Sequence, residues 1–455
     1  MSCLWNFIAP PGAPPRGEFH GHGTSVTLAE LAAGSTFGTA LESLRGRSVL
    51  IATREQLPTA LALVELDGIA RRMVLCTPDL TPEQLAGIAV TAQADAIVWD
   101  APAMPAPASL MSYVVMPRPA PGPVMRRPSA ETEWILLTSG TTGTPKLVVH
   151  TLQSLGGALP TQAPGAQSIW STFYDIRRYG GLQIYLRAVL SGSPLVLSSS
   201  GEPTIDFLAR AATAGVTHIS GTPSHWRRAL MSGQAPILKP QYVRLSGEVA
   251  DQAVLDNLRA VYPNARIAHA FASTEAGVAF DVNDGLAGFP AAFIDAPSGE
   301  IQLKVVDHTL RIRSGRNAVR YLGAAPAALV SDDGYVDTGD MVEFKDGRYY
   351  FRGRVGGVIN VGGLKVYPEE VESVLNADPR VRMSLVRARR NAITGAVVVA
   401  DVVLVNSTNP DAADIPDSVK SDLLDACRRN LAAHKVPATL RFVPSLEFTA
   451  AGKLV

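Results

Sequence analysis

Short, almost wholly apolar runs alternate along this chain with stretches of helical length, and that alternation restricts the fold more than any other feature. Ser48-Val49-Leu50-Ile51-Ala52 is followed by a helix-like stretch through Leu66, then by Arg72-Met73-Val74-Leu75-Cys76 and Pro82-Glu83-Gln84-Leu85. Strand–helix–strand order at this spacing predicts a parallel sheet with crossover helices. The pattern resumes with strands expected at Trp134-Ile135-Leu136-Leu137, Pro194-Leu195-Val196-Leu197 and Val216-Thr217-His218-Ile219. Between the two series, Ala101 to Arg127 is rich in proline, including Pro117, Pro119, Pro121 and Pro123, and reads as a surface connection because proline cannot join a central ladder.

Beyond Ile301 the character changes to short strands with glycine or aspartate turns: Leu310-Arg311-Ile312-Arg313, Asp333-Gly334, and Lys345-Asp346-Gly347-Arg348-Tyr349-Tyr350. These predict antiparallel hairpins. Arg352-Gly353-Arg354-Val355-Gly356-Gly357 is rich in flexible residues and is expected to separate domains. Pro368 to Ala377, the apolar run Ala396–Val405 and a helix over Ser418–Ala433 predict a small α+β module of roughly a hundred residues. At 455 residues the chain is too long for one compact core.

Lysine plus arginine equals aspartate plus glutamate at 41 each, so no net field recruits nucleic acid or an acidic membrane. An anion site must be built locally. Cys3, Cys76 and Cys427 lack metal-ligand or redox spacing and are expected to be reduced thiols. Met1 to His20 has prolines and no basic start followed by an apolar run, and Ala396–Val405 is broken by Asp401 and too short to span a bilayer. A soluble, cytoplasmic protein is expected.

A local anion site is written at Leu137-Thr138-Ser139-Gly140-Thr141-Thr142-Gly143-Thr144-Pro145-Lys146. Glycines let the backbone approach phosphate oxygens, the hydroxyls add donors, and Lys146 adds a point charge. The P-loop of nucleotide hydrolases requires a Gly-Lys pair followed by Ser or Thr; here Pro145 precedes the lysine and Leu147 follows it, which excludes that motif. The bland alternative is a flexible surface loop.

Order decides between them. The run Leu136 to Lys146 resembles the signature of the adenylate-forming superfamily, which includes acyl- and aryl-CoA ligases, peptide-synthetase adenylation domains and luciferases. Four more stations follow in that family's order. Phe271-Ala272-Ser273-Thr274-Glu275 is similar to its aromatic-Gly-x-Thr-Glu motif, with Ala272 in place of glycine. The resemblance implies an aromatic near adenine, Thr274 at the α-phosphate and Glu275 on Mg²⁺, an oxygen-seeking ion. Alone, Thr-Glu would read as a helix start. Tyr335 to Asp340 is similar to the Thr-Gly-Asp motif, so Asp340 is expected at the ribose hydroxyls; alone, it would read as a hairpin turn. Arg352-Gly353-Arg354 with Val358 to Glu372 resembles the hinge and first strand of a mobile C-terminal domain, which implies a nucleotide contact for Arg354, a hinge at Gly356 and a thiol tunnel at Gly362 and Gly363. The usual hinge aspartate or lysine is Gly356 here. Ala450-Ala451-Gly452-Lys453 is similar to the terminal Gly-Lys and makes Lys453 the expected catalytic lysine.

Pattern and resemblance together imply an α/β fold. A large N-terminal domain (1–355) has mixed and parallel sheets with flanking helices, a reduced N-terminal subdomain before Leu136 and a β-barrel-like subdomain. A small, mobile α+β C-terminal domain (356–455) follows. The implied activity is ATP-dependent conversion of a carboxylic acid to its acyl-adenylate, with Mg²⁺ and loss of pyrophosphate, then transfer to coenzyme A. Transfer to the phosphopantetheine of a separate carrier protein is the alternative, and a nucleotide-binding relative without catalysis is the third. Arg387, Arg389 and Arg390 would offer a basic patch to coenzyme A, or form a solvated edge. For the acid, Arg178, His218, Trp226 and Gly247 are the expected contacts, with Arg177 and Phe173 beside them. Arg178 has the competing reading of a partner for Asp175, and Trp226 that of core packing.

Overall fold

The computed structural model describes residues 3–10, 12, 14–101, 109–122, 128, 130–138, 145–157, 159, 168–199, 201–295, 300–323, 328–391, 394–405, 417–448 and 454. The chain opens with a short hairpin, β1 (Glu18–His20) and β2 (Ser25–Thr27). It continues through β3 (Ser48–Ile51), α1 (Gln56–Leu66), β4 (Arg72–Leu75), α2 (Pro82–Thr91), β5 (Ala96–Trp99), β6 (Met111–Val114), β7 (Glu133–Thr138) and β8 (Lys146–His150). The second series is β9 (Trp170–Thr172), α3 (Tyr179–Ser191), β10 (Leu195–Leu197), α4 (Thr204–Thr213), β11 (His218–Gly221), α5 (Pro223–Met231), β12 (Tyr242–Ser246), α6 (Gln252–Val261), β13 (Arg266–Ser273) and β14 (Gly277–Val282).

Among the described residues these strands form two sheets. One of eight strands has the order β14-β13-β12-β11-β9-β10-β1-β2; its five junctions from β13 to β1 are parallel. The other, of seven strands, has the order β18-β8-β7-β4-β3-β5-β6, where β18 is Arg320–Leu322. Alternation of side chains across a strand assigns the layers. Val49 and Ile51 share a core with α1 and α3, while Leu50 packs with Ile88 and Ala89 of α2 on the other face. Leu195 and Leu197 join the α1/α3 core, while Val196 packs with α4, α5 and α6. The two sheets therefore enclose α1 and α3 and carry α2, α4, α5 and α6 outside. All eleven residues of α1 are buried, as its position between two sheets demands.

A five-stranded antiparallel sheet follows: β15 (Phe289–Pro290), β16 (Gln302–Val306), β17 (Thr309–Arg313), β19 (Val336–Lys345) and β20 (Arg348–Arg354). It answers to the β-barrel-like part of the expected fold. Its β19–β20 turn, Asp346-Gly347, has positive φ at both residues (51° and 78°), the two-residue geometry that Asp-Gly favours. Then come β21 (Ile359–Val361), β22 (Leu364–Val366), α7 (Pro368–Asn376), β23 (Val381–Asn391), β24 (Gly395–Leu404), α8 (Asp417–Asn430) and β25 (Thr439–Phe442), with a core of their own.

Three local expectations are corrected. The proline-rich stretch is not only a connection: β6 lies inside it, at the sheet edge, where half its ladder groups need no partner. Asp333-Gly334 is a loop turn between strands of different sheets rather than a hairpin. The strand expected from Val216 begins at His218, because Val216 and Thr217 complete the turn after α4. Cys3, Cys76 and Cys427 are buried thiols, and no helix among the described residues is long and apolar enough to cross a membrane.

Candidate active site

Ligands of open α/β sheets gather outside the carboxyl ends of the parallel strands. Here those ends deliver Phe173-Tyr174 after β9, Thr222 after β11, Gly247-Glu248 after β12 and Thr274-Glu275 after β13. The Tyr174 hydroxyl donates to the Ser246 carbonyl at 2.5 Å, fixing two of these ends against each other. Gly247 has φ +83°, and Glu248 accepts the Ser224 amide at the start of α5. The carboxyl end of β7 in the other sheet carries the phosphate run. Thr138 pairs with Lys146 where the antiparallel strands β7 and β8 meet. Ser139, Gly140, Thr141, Thr142, Gly143 and Thr144 lie outside the described residues.

Lys146 is exposed, with its ammonium 5.3 Å from the centre of the Tyr321 ring. The Tyr321 hydroxyl in turn reaches Glu275 Oε1 at 3.5 Å. Burial, with the Glu275 carboxylate adding to it, pushes that phenol up to about 12, so it stays a donor. The lysine of the first station and the carboxylate of the second thus flank one aromatic ring.

Thr274-Glu275 does not start a helix. It forms, with Ala276, the three-residue turn of the β13–β14 hairpin, closed by the Ser273–Gly277 pair and by Gly277 at φ +73°. Ser273 Oγ accepts the Ala276 amide. The turn is pinned to the other sheet from two sides. Ala318 donates its amide to the Glu275 carbonyl at 2.9 Å, and His150 Nε2 lies 2.7 Å from the Thr274 carbonyl. A carbonyl only accepts, so Nε2 carries the hydrogen and Nδ1 is the acceptor facing Ser154 Oγ at 2.9 Å. Burial pushes His150 down to about 4 and keeps this tautomer neutral. Ala272 packs against the α1/α3 core, and Phe271 stacks on Phe351 at 4.8 Å.

Asp340 and Arg354 are cross-strand partners in β19 and β20, with Arg354 Nε 3.1 Å from Asp340 Oδ1. Gly339 bulges at φ +66°, and Thr338 Oγ1 accepts the Asp340 amide, which sets the direction of that carboxylate. Gly356 lies in an exposed 3-10 turn directly after Arg354. Gly362 and Gly363, at φ +58° and +88°, form the tip of the β21–β22 hairpin. The Gly362 amide donates to Thr394 and the Gly363 amide to Asn360 Oδ1. The C-terminal elements rest on α5 and α6: Arg228 stacks on Phe448, Arg382 donates to the Met231 carbonyl, and Asn376 approaches Asp251. Lys453 lies outside the described residues.

The expected acid contacts are dispersed. Arg178 holds both oxygens of Asp79 at 2.9 Å, whereas its neighbour Arg177, 1% exposed, takes Asp175 and the Thr53 carbonyl. Trp226 is fully buried in the core beneath the eight-stranded sheet, donating to the Arg244 carbonyl. His218 starts β11 and therefore lies at the amino end of the strand whose carboxyl end carries Thr222. Gly247 is the member placed with Tyr174 and Thr222. The sequence reading missed His150 and Tyr321. A polar residue closing the apolar run Leu147-Val148-Val149 was the available signal for the first; the second carries none.

No group of three His, Cys, Asp or Glu able to hold a metal occurs among the described residues. Glu275, half-buried and facing the crevice beside Lys146, fits an ion that takes one carboxylate and completes its shell with phosphate oxygens and water, which is the habit of Mg²⁺.

Two largely parallel sheets that bring Thr274, Glu275 and Lys146 to one crevice define an α/β protein with a polar ligand site at its strand ends. Comparison with known families makes this specific: residues 23–316 match the AMP-binding enzyme family and residues 370–453 the AMP-binding enzyme C-terminal domain. The chain belongs to the AMP-binding enzymes. It is 31% identical over 260 residues to a 2-succinylbenzoate–CoA ligase of Salmonella typhimurium, covering 55% of this chain and 53% of that one. Identity to a ligase of the same name from Listeria innocua is 28% over 343 residues, 71% and 69% of the two chains. The chain thus spans about half to two thirds of these curated relatives. Among solved structures, the o-succinylbenzoate CoA synthetase of Bacillus subtilis in complex with the acyl-adenylate intermediate shares the fold at TM-score 0.77 and 20% identity, covering 100% and 97%. An anthranilate CoA ligase in complex with anthranoyl-AMP does so at 0.79 and 17%, covering 100% and 95%.

Proposed function

We propose that the chain activates a carboxylic acid with ATP and passes the acyl group to the thiol of coenzyme A. The observation that carries this reading is the junction of the two sheets at the crevice: Lys146, Tyr321, Glu275 and Thr274 are brought together by the β8–β18 pairing and the His150–Thr274 hydrogen bond. The relatives named as CoA ligases, and the relative solved with an acyl-adenylate, support the reaction class.

The acid's carboxylate attacks the α-phosphorus of ATP, the bond to the β-phosphate oxygen breaks, and pyrophosphate departs. The nucleophile is already ionised, so the site needs alignment and charge neutralisation rather than a base. Lys146 and the hydroxyl-rich run from Thr138 to Lys146 neutralise the departing phosphates, and Thr274 donates to the α-phosphate. Glu275 holds Mg²⁺, which when bound supplies positive charge to the phosphoryl oxygens. Asp340 accepts from the ribose hydroxyls, Arg354 remains beside it, and Phe271 borders the adenine. Lys453 bridges the carboxylate and the α-phosphate. Rotation at Gly356 then brings the Gly362-Gly363 hairpin to the site, and the thiol sulfur attacks the acyl carbon, expelling AMP while its proton leaves to solvent.

The test is acid-dependent exchange of labelled pyrophosphate into ATP over a panel of aryl and alkyl acids, followed by addition of free coenzyme A. Exchange with some acid and thioester with free coenzyme A is the expected result. Exchange without thioester would transfer the second step to a carrier protein, and no exchange with any acid would end the reading.

A further inference from the structure

Helix α5 joins two parts of the molecule. It begins at the crevice, where Thr222 caps its first turn and the Ser224 amide donates to Glu248, and it ends at Met231 against the C-terminal elements. Ser224, Arg228 and Met231 stand four and three residues apart and so share one face of the helix. Met231 packs with Met383, Val403 and Leu446, and its carbonyl accepts from Arg382. Between the two ends, about 9 Å along the axis from Thr222, the Arg228 guanidinium lies 3.8 Å from the centre of the Phe448 ring.

Arg228 is half-buried, and among the described residues no carboxylate lies within ion-pair distance of it. Its neighbour Arg227, by contrast, pairs with Asp251. Burial alone holds Arg228 below its ordinary value. A guanidinium withdrawn from water needs compensation, and the face of the Phe448 ring supplies it. Phe448 is itself tied to the end of the chain: it forms an antiparallel bridge with Leu454, and both lie in the apolar cluster that holds Met231. Lys453 directly precedes Leu454, so the segment closed by that bridge is the one that bears it.

Resting on the acid-activation reading above, we infer that Arg228 is a positioning residue of the adenylation step: it seats Phe448 on α5 and, through the Phe448–Leu454 bridge, holds the Lys453 segment beside the crevice. Arg228 touches neither nucleotide nor acid in this scheme. It sets how often Lys453 stands where the carboxylate meets the α-phosphate. The contact also suits a seat that must be left. Rotation at Gly356 parts the two modules for the thiol step, and a guanidinium leaving a ring returns to water without stranding a buried carboxylate, as a broken buried ion pair would.

The test compares Arg228→Met, Arg228→Lys, Phe448→Leu, Phe448→Tyr and the double variant Arg228→Met/Phe448→Leu, each checked for fold by circular dichroism. Pyrophosphate exchange is measured at saturating ATP with the acid that exchanges fastest in wild type. The expected kcat falls about tenfold in Arg228→Met and in Phe448→Leu, the rate worth of a partly desolvated cation–π contact, and no further in the double variant. Arg228→Lys and Phe448→Tyr keep most of the rate, and the KM for ATP stays within about threefold throughout, because the pair does not touch the nucleotide. Thioester formation from the synthetic acyl-adenylate and free coenzyme A, a step in which Lys453 has no part, stays within about twofold. Unchanged pyrophosphate exchange, losses that multiply in the double variant, or equal losses in both half-reactions overturn the assignment. Deuterium uptake by the terminal peptide 443–455, which needs no acid, separates the two readings. Faster uptake in both single variants supports the seat even if no acid drives pyrophosphate exchange in wild type. Unchanged uptake in both overturns it.

Discussion

His150 offers the sharpest test of how the two sheets cooperate. Its imidazole spends one nitrogen on the Thr274 carbonyl and the other on Ser154, and it is fully buried. Removing the ring leaves that carbonyl without its donor, which costs about 1–3 kcal/mol, and the cavity adds to it. His150→Ala should therefore lose about 2–4 kcal/mol of stability and much of its exchange activity, but that alone would not separate folding from positioning. Two amide replacements do. Glutamine carries its NH₂ about as far out as Nε2, so His150→Gln preserves the donor to Thr274. Asparagine reaches about as far as Nδ1, so His150→Asn preserves only the Ser154 contact. Pyrophosphate exchange at saturating acid should remain within about threefold of wild type in His150→Gln and fall about tenfold or more in His150→Asn, the worth of one hydrogen bond that orients a reacting group. Melting curves of both variants provide the folding control. Equal rates in the two variants, at equal stability, would refute the claim that the Thr274 bond aligns the turn.

Other outcomes follow from the same geometry. Lys453→Ala should abolish exchange while leaving ATP binding, measured by calorimetry, within about threefold; near-normal exchange would remove the lysine from the mechanism, since losing one charge contact in such a site costs about 3–4 kcal/mol. Gly356→Pro should slow thioester formation far more than exchange, whereas Gly356→Ala should change little, because a Cβ there meets nothing within 4 Å and the residue is not in the left-handed region. Glu372 is half-buried at α7, accepting the Val386 amide and facing Glu369 on its own helix and Glu248 and Arg227 across from it; loss of solvent around its carboxyl pushes it up to about 8. Its stabilising contribution is complete below about pH 4.5 and lost as pH rises through about 8, so Glu372→Gln should raise Tm at pH 9 and leave it unchanged near pH 4.

The strands of the parallel sheets were legible because burial on both faces writes them as unbroken apolar runs, as in Val49-Leu50-Ile51 and Leu195-Val196-Leu197. The motif stations were legible because their order along the chain is itself information. What could not be read was which of two neighbours faces a partner. Arg177 and Arg178 are adjacent and chemically equal, and only the carbonyls of Thr53 and Arg54, far away in sequence, decide that Arg177 is buried on Asp175 while Arg178 turns to Asp79. His218 is among the expected acid contacts, but it opens β11, and four residues of extended chain separate it from Thr222 at the other end. Thr274-Glu275 resembles a helix start by composition. The Gly277 φ of +73° that closes a hairpin instead is a choice that glycine permits and does not announce.

The first hairpin also sets a schedule for synthesis. β1 has no place in the sheet nearest to it in sequence; it pairs with β10, Phe19 against Leu195. Roughly 175 positions separate the two, a wait of about 10–35 s at ordinary elongation rates of roughly 5–20 residues per second. During that interval α1, destined for burial on every side, has emerged without the Tyr185 hydroxyl that later donates to its Ala60 carbonyl. The nascent chain must therefore carry a two-stranded hairpin with one open edge and an uncovered helix past more than a third of its own length. That makes the segment through Leu66 one that gains from a holding chaperone while the rest is being made.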